Sequence, residues 1–167
     1  MTMERQIATF FGVGLLRPAP GTWGSAAAVA LAVLACELGG TLLVPLGFVL
    51  ATVLGFWAIP RVIAGSANKD PSEIVIDEVA GQWLAMCFTV IPLWRHGVSI
   101  LDAWPAYVAP FLLFRLFDIW KPWLVGRADR RGDAAGVMLD DLWAGLFAGV
   151  VSVILAGLYH GVLEPML

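Results

Sequence analysis

Charged residues, histidine and cysteine are all scarce in this sequence. Only 14% of its 167 residues are charged, compared with about 25% in an average soluble domain. Hydrophobic residues make up 60% of the chain, and the mean hydropathy is +0.84. This composition predicts a membrane protein. The net charge of −3 lacks the basic excess of nucleic-acid-binding domains, so we expect no nucleic-acid partner.

The scarcity of sulfur and imidazole also excludes several kinds of site. Cys36 and Cys87 both lie in apolar runs, where cysteine packs as a small hydrophobic side chain. Two cysteines without nearby histidines give neither a disulfide framework nor a zinc site. Neither cysteine is followed six positions later by arginine, and no Asp-x-Asp-x-Thr/Val motif occurs. A phosphate-transfer site based on a cysteine or on an aspartyl-phosphate is therefore not expected.

Five apolar runs dominate what is present. They cover residues 18–36, 38–60, 79–94, 103–117 and 142–163. A membrane-spanning helix needs about 20 predominantly apolar residues. The second and fifth runs reach this length alone, the third needs residues 74–78 as its first turn, and the fourth must include Arg115 and Asp118. The first run is short, so it is predicted to be tilted or only partly inserted.

These runs define the predicted fold class. We expect an all-α, multi-spanning membrane protein with about five membrane helices. A short interfacial helix is predicted near the N-terminus, around Phe10 and Phe11. Because no linker or low-complexity segment interrupts the chain, residues 1–167 are expected to form a single integral-membrane domain.

The distribution of lysine and arginine predicts the orientation of the chain. With five spans, a single side of the membrane carries eight basic residues: Arg5, Arg17, Arg61, Lys69, Lys121, Arg127, Arg130 and Arg131. The other side carries Arg95 alone. Basic loops remain in the cytoplasm, so the N-terminus is predicted inside and the C-terminus outside. His96 and His160 then lie outside, which excludes a histidine-based phosphatase mechanism on the cytoplasmic face.

Five acidic residues lie beside or inside the apolar runs. They are Asp77, Glu78, Asp118, Asp140 and Asp141. In the five-span arrangement, one pair opens the third helix, the other pair opens the fifth, and Asp118 closes the fourth. All five therefore reach the cytoplasmic interface at one depth. Acids at helix N-termini can act as caps and complement the helix dipole, and this interpretation stays open for the two pairs.

A metal site is the second interpretation of the same acids. Several carboxylates at one depth repel each other unless a cation binds them. Oxygen ligands without histidine or cysteine suit Mg²⁺, with Mn²⁺ as the alternative. The small residues that follow each acid pair, Ala80-Gly81 and Ala144-Gly145, allow two helices to approach closely. Close approach of the third and fifth helices would bring the pairs together.

Basic residues are predicted beside this metal site. Arg115 lies one turn deep in an apolar run, and Asp118 and Lys121 follow at intervals of three residues. Arg17 and Thr22 belong to a Pro-Gly turn before the first long helix, where a phosphate can bind. Together they predict an anion site at headgroup level, with a lipid phosphate as its ligand. A simple Arg115–Asp118 ion pair and a snorkelling role for Lys121 remain alternatives.

Two functional hypotheses follow from these residues. The first is a lipid phosphatase that uses metal-assisted attack of water on phosphorus. The second is a divalent-cation transporter or channel built on the same acidic cluster. Transport predicts polar residues along a path through the bilayer, whereas the outer halves of these helices are almost entirely apolar.

Four stretches carry a family resemblance. RPAPGTWGS, IVIDEVAGQW, FRLFDIWKPW and GVMLDDLWAG occur in this order between about residues 10 and 150. Together they resemble the phosphatidylglycerophosphatase A family. The resemblance implies a Mg²⁺-dependent phosphatase of the bacterial inner membrane that converts phosphatidylglycerophosphate in the bilayer to phosphatidylglycerol. It implies no protein partner.

The resemblance also assigns roles to residues. The implied metal ligands are Asp77, Glu78, Asp140 and Asp141, and these four with Asp118 form the implied catalytic set. On the phosphate side, the resemblance places Arg115, Asp118, Lys121 and the turn at Thr22, to which the nearby Arg17 adds charge.

Overall fold

A computed structural model describes residues 1–163 of the chain. Its helices are α1 (Met3–Ala8), α2 (Pro20–Glu37), α3 (Leu43–Val62), α4 (Ile76–Arg95), α5 (Pro105–Trp120), α6 (Leu124–Asp129) and α7 (Ala134–Leu158). A 3₁₀ turn (Val13–Leu15) precedes α2, and a π-helical turn (Tyr159–Leu163) follows α7. No strand occurs among residues 1–163, so the predicted all-α class is confirmed. The predicted outside C-terminus, at residues 164–167, lies beyond the described part of the chain.

The five apolar runs correspond to the five long helices. Two helix boundaries differ from those predicted, at the start of the fifth long helix and at the end of the N-terminal helix. The fifth helix begins at Ala134 rather than at the acid pair, because Asp133 caps it by accepting a hydrogen bond from the backbone N–H of Gly136 at 2.7 Å. The N-terminal helix, α1, ends before Phe10 and Phe11, whose backbones both have positive φ. Sequence patterning did not predict α6, which has only six residues.

Three of the helices are long and apolar enough to cross a membrane. They are α3, α4 and α7 with its π-helical extension. At 1.5 Å per residue, the 18 residues of α2 extend about 27 Å and the 16 residues of α5 about 24 Å. Both are shorter than the roughly 30 Å hydrocarbon core of a bilayer. The count of five spans therefore stays a prediction.

The helices α4 and α7 form the centre of the bundle, and glycine allows their backbones to touch. A Cβ atom added at Gly145 would lie 2.2 Å from the carbonyl oxygen of Gly81. A Cβ at Gly81 would lie 2.5 Å from the carbonyl oxygen of Asp141. No residue with a side chain fits at either position. The helices α2, α3 and α5 pack around this pair, and α4 contacts all of them.

Candidate functional site

Three carboxylates meet where α4 and α7 touch. Asp77, Glu78 and Asp141 each offer an oxygen, and these oxygens lie within 4.8 Å of one another. Asp77 is 5% exposed and Asp141 is 3% exposed. One buried oxygen on each of the three residues has no hydrogen-bond partner. Buried polar atoms in proteins are almost always paired, and these three oxygens are free to act as ligands. Their hard donor chemistry and spacing fit a cation such as Mg²⁺.

Arg115 of α5 adjoins the three carboxylates. Its Nη1 lies 2.7 Å from a carboxylate oxygen of Asp118 and 3.9 Å from Oε1 of Glu78. The same nitrogen donates to the Ser25 hydroxyl of α2 at 3.4 Å. Its Nε is buried and has no partner. The guanidinium is therefore fixed in place by α2, α4 and α5, yet keeps a free donor for a further acceptor.

The first turn of α2 leaves room for this arrangement. A Cβ at Gly21 would lie 2.0 Å from Oε1 of Glu78 and 3.2 Å from Nη1 of Arg115. Ser25, one turn later, donates its hydroxyl hydrogen to the carbonyl oxygen of Gly21 at 2.9 Å. The start of α2 thus forms one wall of the site.

A second cationic group binds the remaining acid of the α7 pair. Lys121 donates to Asp140 at 2.8 Å and also to Asp129 of α6. Burial alone would lower the pKa of the Lys121 ammonium, but its hydrogen bonds to Asp129 and Asp140 raise that pKa above its usual value. Lys121 therefore stays charged at neutral pH. It ends α5 in the left-handed region, with φ of 51°, where the chain turns into α6.

The predicted site residues thus divide into two groups at one end of the bundle. Asp77, Glu78 and Asp141 form the oxygen cluster with Arg115 and Asp118 beside it. Asp140, which the sequence placed in the same metal-binding set, is hydrogen-bonded to Lys121 instead. Its assignment as a metal ligand stays a prediction.

The two residues predicted from the Pro-Gly turn lie differently. Arg17 is directed to the loop before α4, where its guanidinium donates to the Ser72 hydroxyl at 3.3 Å. Thr22 is half-buried in the first turn of α2. The hydroxyl that contacts Arg115 is that of Ser25, which the sequence indicated only as a cap.

Sequence reasoning missed several other polar residues of this region. Asp129 binds Lys121, and Asp70, in the loop before α4, interacts electrostatically with Lys121, Asp118 and Asp129. Neither is next to a long apolar run, so no pattern identified them. Gln82, one turn beyond Glu78 on α4, is fully buried with both side-chain amide atoms unpaired. An uncharged polar residue inside an apolar run was the available signal for it.

Capping does not account for the second acid pair. The N-cap of α7 is Asp133, so Asp140 and Asp141 lie almost two turns inside the helix. In α4, Asp77 and Glu78 lie in the first turn, where they complement the helix dipole. Each of these two residues also has a buried oxygen without a hydrogen-bond partner, and the helix dipole does not explain this oxygen.

The electrostatic balance of the region determines what it can bind. It contains seven carboxyl groups: Asp70, Asp77, Glu78, Asp118, Asp129, Asp140 and Asp141. Two cationic groups, Arg115 and Lys121, accompany them. In their ionised form these carboxyl groups outnumber the two cationic groups and would repel an anion. A cation bound to the three unpaired carboxylate oxygens would offset that repulsion.

The fold and the site together define an all-helical membrane protein with a buried carboxylate cluster and a fixed arginine at one end of its helices. The family model for phosphatidylglycerophosphatase A matches residues 6–156. The chain therefore belongs to the phosphatidylglycerophosphatase A family.

Two individual relatives carry the same family name, and a third has a different one. The chain is 34% identical over 146 residues to phosphatidylglycerophosphatase A of Haemophilus influenzae, covering 87% of this chain and 83% of the relative. It is 32% identical over 147 residues to phosphatidylglycerophosphatase A of Escherichia coli, covering 87% and 79%. A Bacteroides thetaiotaomicron protein, named provisionally as a phosphatidylinositol-3-phosphatase, is 35% identical over 150 residues, covering 87% and 88%. No solved structure matches the chain.

Proposed function

We propose that the protein is a Mg²⁺-dependent phosphatase that hydrolyses the terminal phosphate monoester of phosphatidylglycerophosphate and releases phosphatidylglycerol. The family assignment supports the substrate. The observation that carries the proposal is the proximity of three unpaired carboxylate oxygens to an arginine with an unpaired Nε. Those two groups are complementary to a cation and to the phosphate that the cation accompanies.

The residues of the site have different roles in hydrolysis. Asp77, Glu78 and Asp141 would hold the metal ion, which when bound stabilises negative charge on the phosphoryl oxygens. Arg115 binds the phosphate through the donor that the protein leaves free. Asp118 fixes the orientation of Arg115 through its contact with Nη1. Water supplies the oxygen that phosphorus gains, and the bond from phosphorus to the glycerol oxygen breaks as that oxygen takes up a proton.

Lys121 provides a second positive charge at the mouth of this site. Its hydrogen bonds to Asp140 and Asp129 link α5, α6 and α7. Asp140 orients this ammonium, because its Oδ2 accepts a hydrogen bond from Lys121. We also keep Asp140 in the predicted set of metal ligands. The exposed Arg17 attracts the anionic headgroup to the entrance, and Thr22 lines the α2 wall.

A transport function is less consistent with the structure. Among the residues whose side chains are described, 1–161, the buried charged side chains are Asp77, Asp140 and Asp141, all at one end of the bundle. A transport path needs polar groups across the whole bilayer. The protein's partner is then the phospholipid itself, and neither a nucleic acid nor a second protein is required.

Phosphate release from a panel of lipids tests the proposal. Purified protein should hydrolyse phosphatidylglycerophosphate faster than phosphatidate or lysophosphatidate. Phosphatidylinositol 3-phosphate belongs in the panel because the name of the Bacteroides relative gives it that substrate. EDTA should abolish the reaction, and Mg²⁺ or Mn²⁺ should restore it. Full activity after chelation contradicts the metal site, and preference for the inositol lipid reassigns the substrate.

We further propose that the site faces the cytoplasm from a bacterial inner membrane, as the lysine and arginine distribution indicates. In a variant without Cys36 and Cys87, a cysteine introduced at Asp102 should react with an impermeant thiol reagent in intact cells. A cysteine at Arg130 should react only after the cells are opened. Both positions are exposed in the structure. The reverse labelling pattern would show that the site faces outward.

A further inference from the structure

An apolar groove runs between α2 and α5 on the outer surface of the bundle. It has a volume of about 660 Å³, within the range of roughly 300–1,000 Å³ that is typical of ligand sites. Small residues, Ala26 and Ala30, form its α2 side together with Val33. Tyr107 and Phe111 form its α5 side. The groove is thus open to the hydrocarbon of the bilayer.

Both walls of the groove lead directly to the phosphate site. On α2, Ala26 follows Ser25, whose hydroxyl accepts a hydrogen bond from Arg115. On α5, Phe111 lies one helical turn before Arg115. A molecule whose phosphate contacts Arg115 therefore has this groove immediately beyond its headgroup.

The length of the groove approaches that of a lipid chain within one leaflet. Its apolar lining extends along α2 from Ala26 to Leu34, and the exposed Glu37 marks its far end. Eight residues at 1.5 Å each give about 12 Å. One leaflet of hydrocarbon is about 15 Å thick, half of the bilayer core.

Gln82 is a second buried polar residue of α4, one turn beyond Glu78. It is 0% exposed, and neither its amide nitrogen nor its amide oxygen has a partner. Leaving a buried donor and acceptor unpaired is costly. Because Gln82 lies one turn beyond Glu78 on α4, it is about 6 Å deeper in the bundle than the carboxylate cluster.

The neighbours of Gln82 place it where α2 and α5 meet. Glu78, on the same face of α4, lies 3.9 Å from Arg115 of α5. Thr89, two turns beyond Gln82 on that face, donates to the carbonyl oxygen of Ala106 of α5 at 2.7 Å. The next residue of α4, Trp83, donates to the backbone of α2 at 2.7 Å. Gln82 therefore lies on the α4 face that is directed between α2 and α5.

We propose that one acyl chain of the lipid substrate lies in the groove between α2 and α5, with the Gln82 amide hydrogen-bonded to the oxygens that link this chain to the phosphate. This inference rests on the phosphatase function proposed above. The sequence of environments, charged at Arg115, polar at Gln82 and apolar along the groove, matches the sequence of groups in a phospholipid. The amide N–H groups of Gln82 then donate to the ester oxygens of the glycerol, which can only accept hydrogen bonds.

A tryptophan in the groove tests the position of the chain. Ala30 is exposed within the groove, so Ala30→Trp fills it without entering the protein core. Ala156 is also exposed but lies on α7, which makes Ala156→Trp the matched control. Two substrates are compared in detergent micelles: phosphatidylglycerophosphate with long chains, and the same lipid with two butanoyl chains that are too short to fill the groove.

The proposal predicts a selective loss. Ala30→Trp should lower kcat/KM for the long-chain lipid by about tenfold or more, because a displaced chain misplaces the phosphate, and misplacement by about 1 Å can cost about a hundredfold. The Ala30→Trp protein should hydrolyse the butanoyl lipid at the parent rate. The Ala156→Trp protein should hydrolyse both lipids at the parent rate. Equal effects of Ala30→Trp on the two lipids, or no effect on either, would overturn the groove assignment. If the parent protein hydrolyses neither lipid, the proposed function itself is wrong and the groove assignment falls with it.

Gln82→Leu gives a second, independent readout. The change removes two unpaired polar atoms from a buried position, so thermal stability in detergent should be retained or raised. The value of kcat/KM should nevertheless fall for both lipids, since both contain the glycerol linkage. Retained activity in a stable Gln82→Leu protein would remove Gln82 from the proposed subsite.

A photoreactive chain tests the location without relying on the rate of hydrolysis. Long-chain phosphatidylglycerophosphate with a diazirine on one acyl chain is bound to the protein at low temperature in the presence of Mg²⁺ and irradiated before it is hydrolysed. Crosslinks should concentrate on α2 and α5, near Val33 and Tyr107. Crosslinks distributed evenly over the exposed faces of α3 and α7 would show that the chain has no fixed position.

Discussion

The backbone contact between α4 and α7 provides the most direct test of how the site is assembled. The perturbation is Gly145→Ala, the addition of a single methyl group. At Gly145 that methyl would lie 2.2 Å from the carbonyl oxygen of Gly81 and 3.0 Å from its Cα. Both atoms belong to the backbone of a long helix and cannot rotate away. Ordinary contact begins at 3.4 Å, so α4 and α7 must separate locally by about 1 Å.

The separation acts directly on the carboxylate cluster. Asp141 lies one turn before Gly145, and Asp77 lies one turn before Gly81. Their oxygens, now within 4.8 Å with those of Glu78, would move apart with the helices. Because misplacement of reacting groups by about 1 Å can cost about a hundredfold in rate, kcat should fall by about that factor. The strain should also destabilise the fold by about 1–3 kcal/mol.

Phosphate release and thermal unfolding of the purified protein measure the two effects. Gly157→Ala is the matched control, since it is the same change in the same helix and the new methyl meets nothing within 4 Å. It should leave kcat unchanged and should favour the helix by up to about 1 kcal/mol. A Gly145→Ala protein with the parent rate and the parent unfolding temperature would refute the reasoning, because it would mean that the helices can separate without disturbing the site.

Two further substitutions separate functional side chains from structural ones. Arg115→Lys should lower kcat/KM by about a hundredfold, because it removes a directed phosphate contact of about 3 kcal/mol. The control is Arg61→Lys, at a guanidinium stacked over Trp57, which should keep the parent kcat/KM. Equal kcat/KM values for the two variants would exclude Arg115 from the phosphate site. Asp140→Asn should lower kcat by orders of magnitude while the protein stays folded, whereas Asp133→Asn should keep the parent rate, because asparagine caps a helix about as well as aspartate. Normal turnover by Asp140→Asn would show that the charge of Asp140 serves neither Lys121 nor a metal ion.

The helical class of the protein could be predicted because each long helix coincides with an apolar run. Composition alone excluded a soluble domain, and the lengths of the runs determined how many helices to expect. The exact beginning of α7 could not be predicted in this way. The apolar run begins after Asp141, but the helix begins at Ala134 because Asp133 provides a cap seven residues before Asp140. Hydropathy locates the buried part of a helix, whereas capping determines where its backbone hydrogen bonds begin.

The site was predictable to the extent that charge in an apolar setting is unusual. That rule identified Asp77, Glu78, Asp118 and Asp141, as well as Arg115. It could not identify Asp129, which reaches Lys121 only because the chain turns sharply between α5 and α6. It also placed Asp140 in the same predicted set of metal ligands as Asp141, because a linear sequence does not show which helix each side chain will face.

The helical direction of adjacent residues explains why the acids occur in pairs. Neighbouring residues on a helix point about 100° apart, so two consecutive acids can reach different partners. On α7, Asp141 faces the cluster with α4, while Asp140 faces Lys121. On α4, Asp77 is coupled electrostatically to Asp140 and Glu78 to Asp118 and Arg115. The two acids of α7 therefore have separate partners. On α4, both acids belong to the carboxylate cluster, and Glu78 also lies 3.9 Å from Arg115. Each acid pair thus connects the cluster to a neighbouring cationic side chain, Lys121 for the pair on α7 and Arg115 for the pair on α4.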